Sequence, residues 1–254
     1  MIEKRALKTL EFNKVREQVA KYCTSSIGKG ALEELVPETD FDTVVELLEE
    51  MDEGLSILRV KANVPLGGIF DVRPHAKRAQ IGGTLSPVEL MEISSTIRAS
   101  RILRNFIEDI ESEGAIAIPH FIERKEQLPL LTGLQNEIND CIDENGGVMD
   151  SASTALRSIR QSLRSEEAKV RGKLESMIRG SNATKMLSDT IITIRNDRFV
   201  IPVKQEYRNH YGGVVHDQSA SGQTLFIEPD AIVQANNEVQ RLKMKEQAEI
   251  ERIL

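Results

Sequence analysis

Residues 190–228 interrupt a chain whose other segments carry helical patterns. Residues 190–195 (TIITIR) and 198–204 (RFVIPVK) are rich in β-branched residues and are separated by Asn196-Asp197, a two-residue hairpin signal. Residues 213–217 and 223–227 predict a second pair of strands. An insert of about 40 residues must return the chain close to where it left, so we expect an antiparallel helical hairpin with a small antiparallel sheet at its tip.

Long helical patterns flank this insert. The first begins at Ser151 or Ser153 and runs to about residue 180, and at 1.5 Å per residue it predicts a rod of roughly 40 Å. Glu166 and Lys173 interrupt its apolar seam, so the pattern indicates an imperfect coiled coil. The second begins near Pro229 and reaches Leu254 without glycine, proline or a C-cap, so we expect this helix to continue in a longer protein.

The preceding residues predict helices joined by short turns. Ser86-Pro87-Val88-Glu89 combines a serine cap, a proline at the first helical position and a glutamate suited to a capping box. Asp40 is a good N-cap for another helix, and we expect that helix to turn its apolar residues inward. Those residues are Phe41, Val44, Val45, Leu48 and Leu55. The predicted class is mostly α (α+β), with a helical core domain at 1–150 and a lever at 151–254 that carries a β clamp at about 185–228.

Composition narrows the class of protein. The two cysteines, Cys23 and Cys141, have no nearby partner at metal-ligand spacing, which favours a reduced compartment over a disulfide scaffold. No apolar run approaches the roughly 20 residues that a membrane span needs, and residues 1–10 lack the apolar region of a signal peptide. We therefore expect a cytoplasmic protein with no membrane partner.

Charge is distributed unevenly along the chain. Residues 1–150 hold 17 basic and 27 acidic residues, a balance of −10, whereas residues 151–254 hold 16 basic and 13 acidic residues, a balance of +3. A polyanionic partner is therefore expected to meet the second half. Because aromatic residues make up only 4% and tryptophan is absent, a platform that stacks single-stranded bases is not expected.

Four segments together resemble one known family. They are LKTLEF at 7–12, PLGGIFDVRP at 65–74, TIRNDRFVIPVKQEYRN at 193–209 and SASGQTLFIEP at 219–229. They resemble the MutS-like ATPases, and most closely the second bacterial branch, which lacks the mismatch-reading N-terminal domains and carries a C-terminal Smr nuclease domain. The resemblance covers almost the whole chain.

This resemblance implies a core domain, a lever interrupted by a clamp, and an ABC-type ATPase that follows the lever. For the full-length protein it implies a homodimer, ATP and Mg²⁺ as cofactors, and endonuclease activity. It also implies one of two roles: binding branched or duplex DNA to limit recombination, or rescuing collided ribosomes through contacts with ribosomal RNA.

The residues themselves predict no catalytic, cofactor or metal site in this segment. Gly28-Lys29-Gly30 lacks the upstream glycine and the following serine or threonine of a Walker A loop, so we expect neither binding nor hydrolysis of ATP. His210 and His216 flank a short Tyr-Gly-Gly turn and could meet in space, but a zinc ion would need further nitrogen or sulfur ligands.

Two sets of basic residues are candidates for nucleic-acid binding. Four arginines of the first lever helix fall within about 60° of one another at 100° per residue: Arg157, Arg160, Arg164 and Arg171. The clamp offers Arg195, Arg198, Lys204 and Arg208, whose charged ends we expect to be free for phosphate. Neighbouring acidic residues leave the clamp almost neutral, so charge alone does not mark it as a nucleic-acid binder. Its position at the end of a rod, where it can touch a partner, is what favours binding.

Two interpretations of these basic residues stay open. In one, the clamp and the lever grip nucleic acid or a ribosome and transmit movement from the ATPase. In the other, the lever arginines form a solvated face with internal salt bridges, and the whole segment is a structural module that sets dimer geometry and contacts protein.

Overall fold

A turn before Met149 separates two compact units of the chain. The computed structural model describes residues 4–254, and these divide into a first unit that ends at Val148 and a second unit, Met149–Leu254. Each unit has its own cluster of buried apolar side chains. Among residues 4–254 there is no helix whose length and hydropathy would let it cross a membrane.

The regular secondary structure of the first unit's described residues is helical, with turns and loops between the helices and one isolated β-bridge between Ile142 and Val148. Its helices are α1 (Lys4–Thr9), α2 (Phe12–Ala20), α3 (Ser26–Glu34), α4 (Phe41–Val60), α5 (Arg73–Gln80), α6 (Pro87–Glu113), α7 (Pro119–Glu126) and α8 (Thr132–Cys141).

Local side-chain bonds explain where the two longest helices of this unit begin. The Ser86 hydroxyl accepts from the Glu89 N–H, and the Glu89 carboxylate accepts from the Ser86 N–H at 2.8 Å, which completes the capping box at the start of α6. The Asp40 carboxylate accepts from the Thr43 N–H at 3.0 Å and caps α4. Both predicted helix starts are confirmed.

The core of the first unit involves only its later residues. Ile57, Ile107, Ile110 and Ile118 form its buried cluster, and Phe121 packs against them. Between residues 6 and 52 no side chain is buried, although helices α2 and α3 and most of α4 lie there. The prediction that the apolar face of α4 points inward is therefore wrong. The opposite face, with Glu53 and Ile57, is the one that packs inside.

The second unit consists of two long helices and a small sheet. After a 3₁₀ turn at Asp150–Ala152, its helices are α9 (Thr154–Ile178), α10 (Ala183–Met186), α11 (Arg208–Tyr211) and α12 (Asp230–Ile253). A further 3₁₀ turn at Gln205–Tyr207 precedes α11. The strands are β1 (Thr193–Arg195), β2 (Arg198–Lys204), β3 (Val214–Gln218) and β4 (Thr224–Glu228).

Helices α9 and α12 pack along each other in opposite directions. The Ser153 hydroxyl donates to Glu249 at 2.6 Å, Arg160 donates to Glu246 at 2.7 Å, and the Lys173 ammonium donates to the Ala231 carbonyl at 3.2 Å. As residue numbers rise along α9, their partners on α12 fall, so the helices are antiparallel. This confirms the predicted helical hairpin and the mostly α, α+β class.

The four strands form one antiparallel sheet in the order β1-β2-β4-β3. Asn196 and Asp197 join β1 to β2 with φ values of 50° and 59°, the two positive values that a type I′ hairpin turn requires. His216 is an extra residue in β3, since Val215 pairs with Ile227 and Asp217 with Phe226.

Strand β2 is covered on both faces. Phe199, Ile201 and Val203 pack with the lever helices, and Val200 and Pro202 are also buried. The Pro202 carbonyl accepts from the Ser188 N–H at 3.0 Å, on the side of β2 where β1 has already ended. Because the nitrogen of a strand residue faces the same side as its carbonyl, the missing N–H of Pro202 removes no bond to β4.

Candidate nucleic-acid interface

The hairpin arginine Arg195 is held against the clamp sheet. Its Nε donates to Asp217 Oδ2 at 3.1 Å, and its guanidinium lies 4.2 Å from the centre of the Phe226 ring. A cation at this distance from an aromatic face is attracted by the ring. The charged end of Arg195 is thus engaged within the protein, contrary to the prediction that it is free.

Arg198 forms an ion pair with a buried carboxylate. Its Nη1 donates to Glu228 Oε1 at 3.2 Å and to Asn237 Oδ1 at 2.6 Å. The Glu228 side chain is 2% exposed and also contacts His216 Nε2 at 2.6 Å and Asn236 Nδ2 at 2.8 Å. A buried carboxylate is tolerated only when it is paired and hydrogen-bonded, so Arg198 is its counter-ion within the fold.

The remaining two clamp cations differ from each other. The Lys204 ammonium donates to the Lys185 carbonyl at 2.8 Å, so its end is also engaged. Arg208 is exposed, and no ion pair or hydrogen bond of its side chain is found within residues 4–254. Of the four clamp residues predicted to present free charge, the prediction holds for Arg208 alone.

An open polar cleft of about 380 Å³ lies beside Arg208. Side chains of the turn after β2 and of the β3–β4 hairpin line it: Gln205, Glu206, Arg208, Asn209, Val215, Gln218 and Leu225. The amides of Gln205, Asn209 and Gln218 can donate to phosphate or base oxygens and accept from N–H groups. Sequence reasoning missed these amides, although residues 205–209 (QEYRN) cluster four polar side chains directly after a strand.

The lever arginines also fall into two groups. Arg160 is half-buried and bonds Asp150 and Glu246, each at 2.7 Å, because among the four it lies nearest the apolar seam with α12. Arg171 lies 4.9 Å from the centre of the Phe199 ring. Arg164 bonds Asp150 at 3.1 Å but keeps 64% of its side chain exposed. The hydrogen bonds from Arg160, and then from Arg164, lower the pKa of Asp150.

Arg157 is the lever counterpart of Arg208. It is exposed on α9, and among the residues that the structure describes its side chain has no bonded partner. The predicted arginine stripe therefore exists on one side of α9, but its members differ in how far their guanidinium groups are already bonded within the protein. Arg157 has no bonded partner among the described residues, and Arg164 and Arg171 each make one contact. Arg160 is bonded to Asp150 and to Glu246 of α12.

The two histidines of the clamp have different neighbours. His216 bonds Glu228, whereas His210 meets the ring of Tyr211 edge-on, with centroids 5.2 Å apart. Within residues 4–254 no three side chains of His, Cys, Asp or Glu are grouped so that they could hold a metal ion.

Two antiparallel helices carrying a four-stranded clamp define a lever-and-clamp protein of the kind that the resemblance to the MutS-like ATPases implies. No protein-family model matches the chain. It is 57% identical over 250 residues to Endonuclease MutS2 of Geobacillus sp. (strain WCH70), 53% to that of Halalkalibacterium halodurans and 52% to that of Bacillus cytotoxicus. These relatives confirm the resemblance to the second bacterial branch of the MutS-like family.

Each of these alignments covers 98% of this chain and 32% of the relative. The chain thus spans about a third of the length of the curated relatives that it matches.

Proposed function

We propose that this chain is a non-catalytic lever-and-clamp segment that contacts nucleic acid within a MutS2-type protein. The observation that carries the proposal is Arg208, an exposed cation without a partner among the described residues, at the edge of an amide-lined cleft. The relatives' name, endonuclease, supports it because an endonuclease acts on a nucleic-acid backbone. The partner is branched or duplex DNA in recombination control, or ribosomal RNA of a collided ribosome.

The lever supplies a second contact in this proposal. Arg157 presents a guanidinium without a bonded partner among the described residues, and Arg164 remains largely exposed despite its bond to Asp150. Arginine donors of this kind bind phosphate oxygens irrespective of base sequence, so they add affinity and position the partner.

A structural role is the second candidate, and a specific observation favours it. Arg195, Arg198 and Lys204 all use their charged ends to bond other parts of the same unit. Such bonds hold the clamp in shape, as a module that sets dimer geometry and contacts protein would need.

Arg208→Ala and Arg157→Ala distinguish the two candidates. Arg241→Ala is the matched control, because Arg241 is exposed on α12 but bonded to Glu238 at 2.8 Å. Affinities of the 254-residue chain for duplex DNA, branched DNA and ribosomes are measured across a range of salt concentrations. For duplex DNA, removing one arginine that neutralises a phosphate lowers the slope of log K against log salt by about 0.9.

We expect both test variants to weaken binding and to reduce that slope, while Arg241→Ala resembles the unaltered chain. An equal reduction for all duplex sequences indicates that the arginines bind phosphates. If Arg208→Ala and Arg157→Ala leave both affinity and slope unchanged, the structural role is favoured. The partner whose affinity falls most between DNA and ribosome is the one that the segment recognises.

The full-length protein, in this proposal, is a homodimeric ATPase and endonuclease that binds ATP and Mg²⁺ outside the present segment. Calorimetry of the 254-residue chain with ATP and Mg²⁺ tests this division of labour. We expect no heat of binding. Stoichiometric binding would instead place a nucleotide site on the lever, the clamp or the core helices.

A further inference from the structure

The cleft beside Arg208, called here the clamp cleft, has an apolar floor and a polar rim. The floor consists of Leu225, which is buried, and Val215, which is half-buried, and both are part of the apolar packing inside the second unit. They lie on one face of the sheet, because Val215 pairs with Ile227, two residues beyond Leu225. Gln218 pairs with Leu225 and therefore belongs to the same face.

The rim consists of the five polar side chains that line the clamp cleft: Gln205, Glu206, Arg208, Asn209 and Gln218. All five residues are exposed, and within residues 4–254 none of their side chains has a hydrogen bond or an ion pair. The other three clamp cations, in contrast, bond groups of their own unit. The bonds that hold the clamp together therefore leave the polar rim available to a ligand.

The rim carries one charge of each sign. The guanidinium of Arg208 donates N–H groups that suit a phosphate, whereas the carboxylate of Glu206 accepts N–H donors and repels an anion. A ligand that satisfies both has an anionic end and an N–H donor end. A nucleotide meets this requirement when its base carries an amino group, since carboxylates accept from the N4 amino group of cytosine.

The size and the floor of the clamp cleft narrow this ligand to one unpaired nucleotide. Its volume of about 380 Å³ lies within the range of about 300–1,000 Å³ that is usual for small-molecule sites. In a duplex both faces of a base are covered by its neighbours, so only a base outside the stack can lie against Leu225 and Val215. The floor is aliphatic and not aromatic, which suits a single base better than a stacked run.

We propose that the clamp cleft binds a single unpaired nucleotide whose base carries an exocyclic amino group. Arg208 binds its phosphate, Glu206 accepts from its amino group, and the amide of Gln218 bonds the remaining polar edge of the base. This inference rests on the proposed contact with nucleic acid and adds the kind of nucleotide that the clamp recognises.

The probe is a duplex of fixed sequence that carries a short single-stranded branch of cytidine, thymidine or abasic nucleotides. Branches of deoxyribonucleotides and of ribonucleotides, with uridine in place of thymidine, distinguish DNA from RNA as the source. Binding to the 254-residue chain is followed by fluorescence anisotropy at one salt concentration. We expect the cytidine branch to bind about tenfold more tightly than the abasic branch. Thymidine is expected to lie between them, because thymine contacts the floor but offers Glu206 no amino group.

Glu206→Gln tests the contact with the amino group. An amide both donates and accepts, so we expect the ratio of the cytidine and thymidine affinities to fall to about one. Glu144→Gln is the matched control, because Glu144 is an exposed residue of the first unit whose carboxylate has no bonded partner in the described part of the chain.

Gln218→Ala tests whether the base enters the clamp cleft. It is expected to weaken binding of the cytidine branch by about threefold or more and to leave binding of a blunt duplex unchanged. Gln223→Ala is its control, since Gln223 is exposed on the same hairpin but does not line the cleft. Circular dichroism checks that each variant is folded.

Two results would overturn this inference: equal affinities for the cytidine, thymidine and abasic branches, or a preference for cytidine that Glu206→Gln preserves. If the blunt duplex still binds through Arg208 and Arg157 in either case, the proposed phosphate contacts stand and only the nucleotide site is refuted. If neither the branched nor the blunt probes bind the chain, the nucleotide site and the proposed nucleic-acid contact are both refuted.

Discussion

Individual side chains decide how the clamp is joined to the lever. Glu228 at the end of β4 is 2% exposed, and it receives bonds from Arg198 on β2, His216 on β3 and Asn236 on α12. One carboxylate thus links three strands to a helix. Since an unpaired buried charge is strongly unfavourable, removing any one partner affects all the elements that meet there.

Glu228→Ala is expected to lower the free energy of unfolding by about 3 kcal/mol, at the lower end of the range for broken buried pairs, because Arg198 keeps 24% of its side chain exposed. Urea denaturation followed by circular dichroism measures the change. Glu238→Ala, which removes the exposed pair with Arg241, serves as control and is expected to cost less than about 1 kcal/mol. Similar destabilisation of the two variants would contradict a special role for Glu228.

His120 gives the first unit a pH-dependent contribution to stability. Its Nδ1 lies 2.6 Å from Glu53 Oε1, and this hydrogen bond raises the pKa of His120 above its ordinary value. A raised pKa in the folded state means that the stabilisation is complete below the unfolded pKa of about 6.5. It disappears as the pH rises through the folded pKa.

We therefore expect the chain to lose stability to urea as the pH is raised from about 6 towards 8, and His120→Gln to remove most of that dependence. An NMR titration of His120 gives the folded pKa directly. A folded pKa at or below that of an unstructured histidine would refute the prediction.

Among the elements, the helices show how local bonds set boundaries. Helix α6 begins at Pro87 because Ser86 and Glu89 satisfy each other's backbone N–H groups. Glu89 is also bonded by Arg78, and the Ser86 N–H together with Arg78 lowers the pKa of Glu89 to about 2. The start of α6 is thereby linked to α5, which carries Arg78.

Ser86→Ala is expected to lower the free energy of unfolding by about 1 kcal/mol, the usual cost of replacing a serine N-cap. Ser112→Ala is a suitable comparison, since Ser112 is an exposed serine in the last turn of the same helix. Its replacement is expected to change stability by less than about 0.5 kcal/mol. Equal effects in urea denaturation would show that the cap contributes nothing specific.

At the scale of the whole molecule, the two units differ in how much of their apolar surface is covered. Both faces of β2 are buried in the second unit, and α9 and α12 cover each other along their length. The first unit instead leaves residues 6–52 without a buried side chain. Exposed apolar surface of this extent is typical of an interface.

The 254-residue chain is expected to be monomeric or only weakly associated at micromolar concentration. Glu166 and Lys173 interrupt the apolar seam of the first lever helix, and the family's dimer is expected to depend on the ATPase domain. Sedimentation velocity at two salt concentrations tests this. A tight dimer at micromolar concentration at either salt concentration would contradict it.

Local interactions explain what the sequence determined by itself. The caps at Asp40 and Ser86, the Asn196-Asp197 turn and the change from helix to strand and back all depend on residues within about four positions of one another. These features could be predicted, and with them the class of fold and the arrangement of a clamp between two lever helices. The arginine stripe on α9 could be placed on one side of its helix for the same reason.

Only the tertiary structure decided which charges are available and which apolar face is covered. Three clamp cations bond partners that are distant in the sequence. Arg195 bonds Asp217, 22 positions away, Arg198 bonds Glu228, 30 positions away, and Lys204 bonds the Lys185 carbonyl, 19 positions away. A sequence pattern shows that such a side chain is charged, but its partner depends on how distant strands and helices meet. Periodicity favoured the face of α4 with Leu48 and Leu55, because the opposite face carries Glu46, Glu50 and Glu53 around Ile57. The tertiary structure nevertheless covers the opposite face. The bonds and packing of Glu53 and Ile57 with other parts of the first unit made that choice.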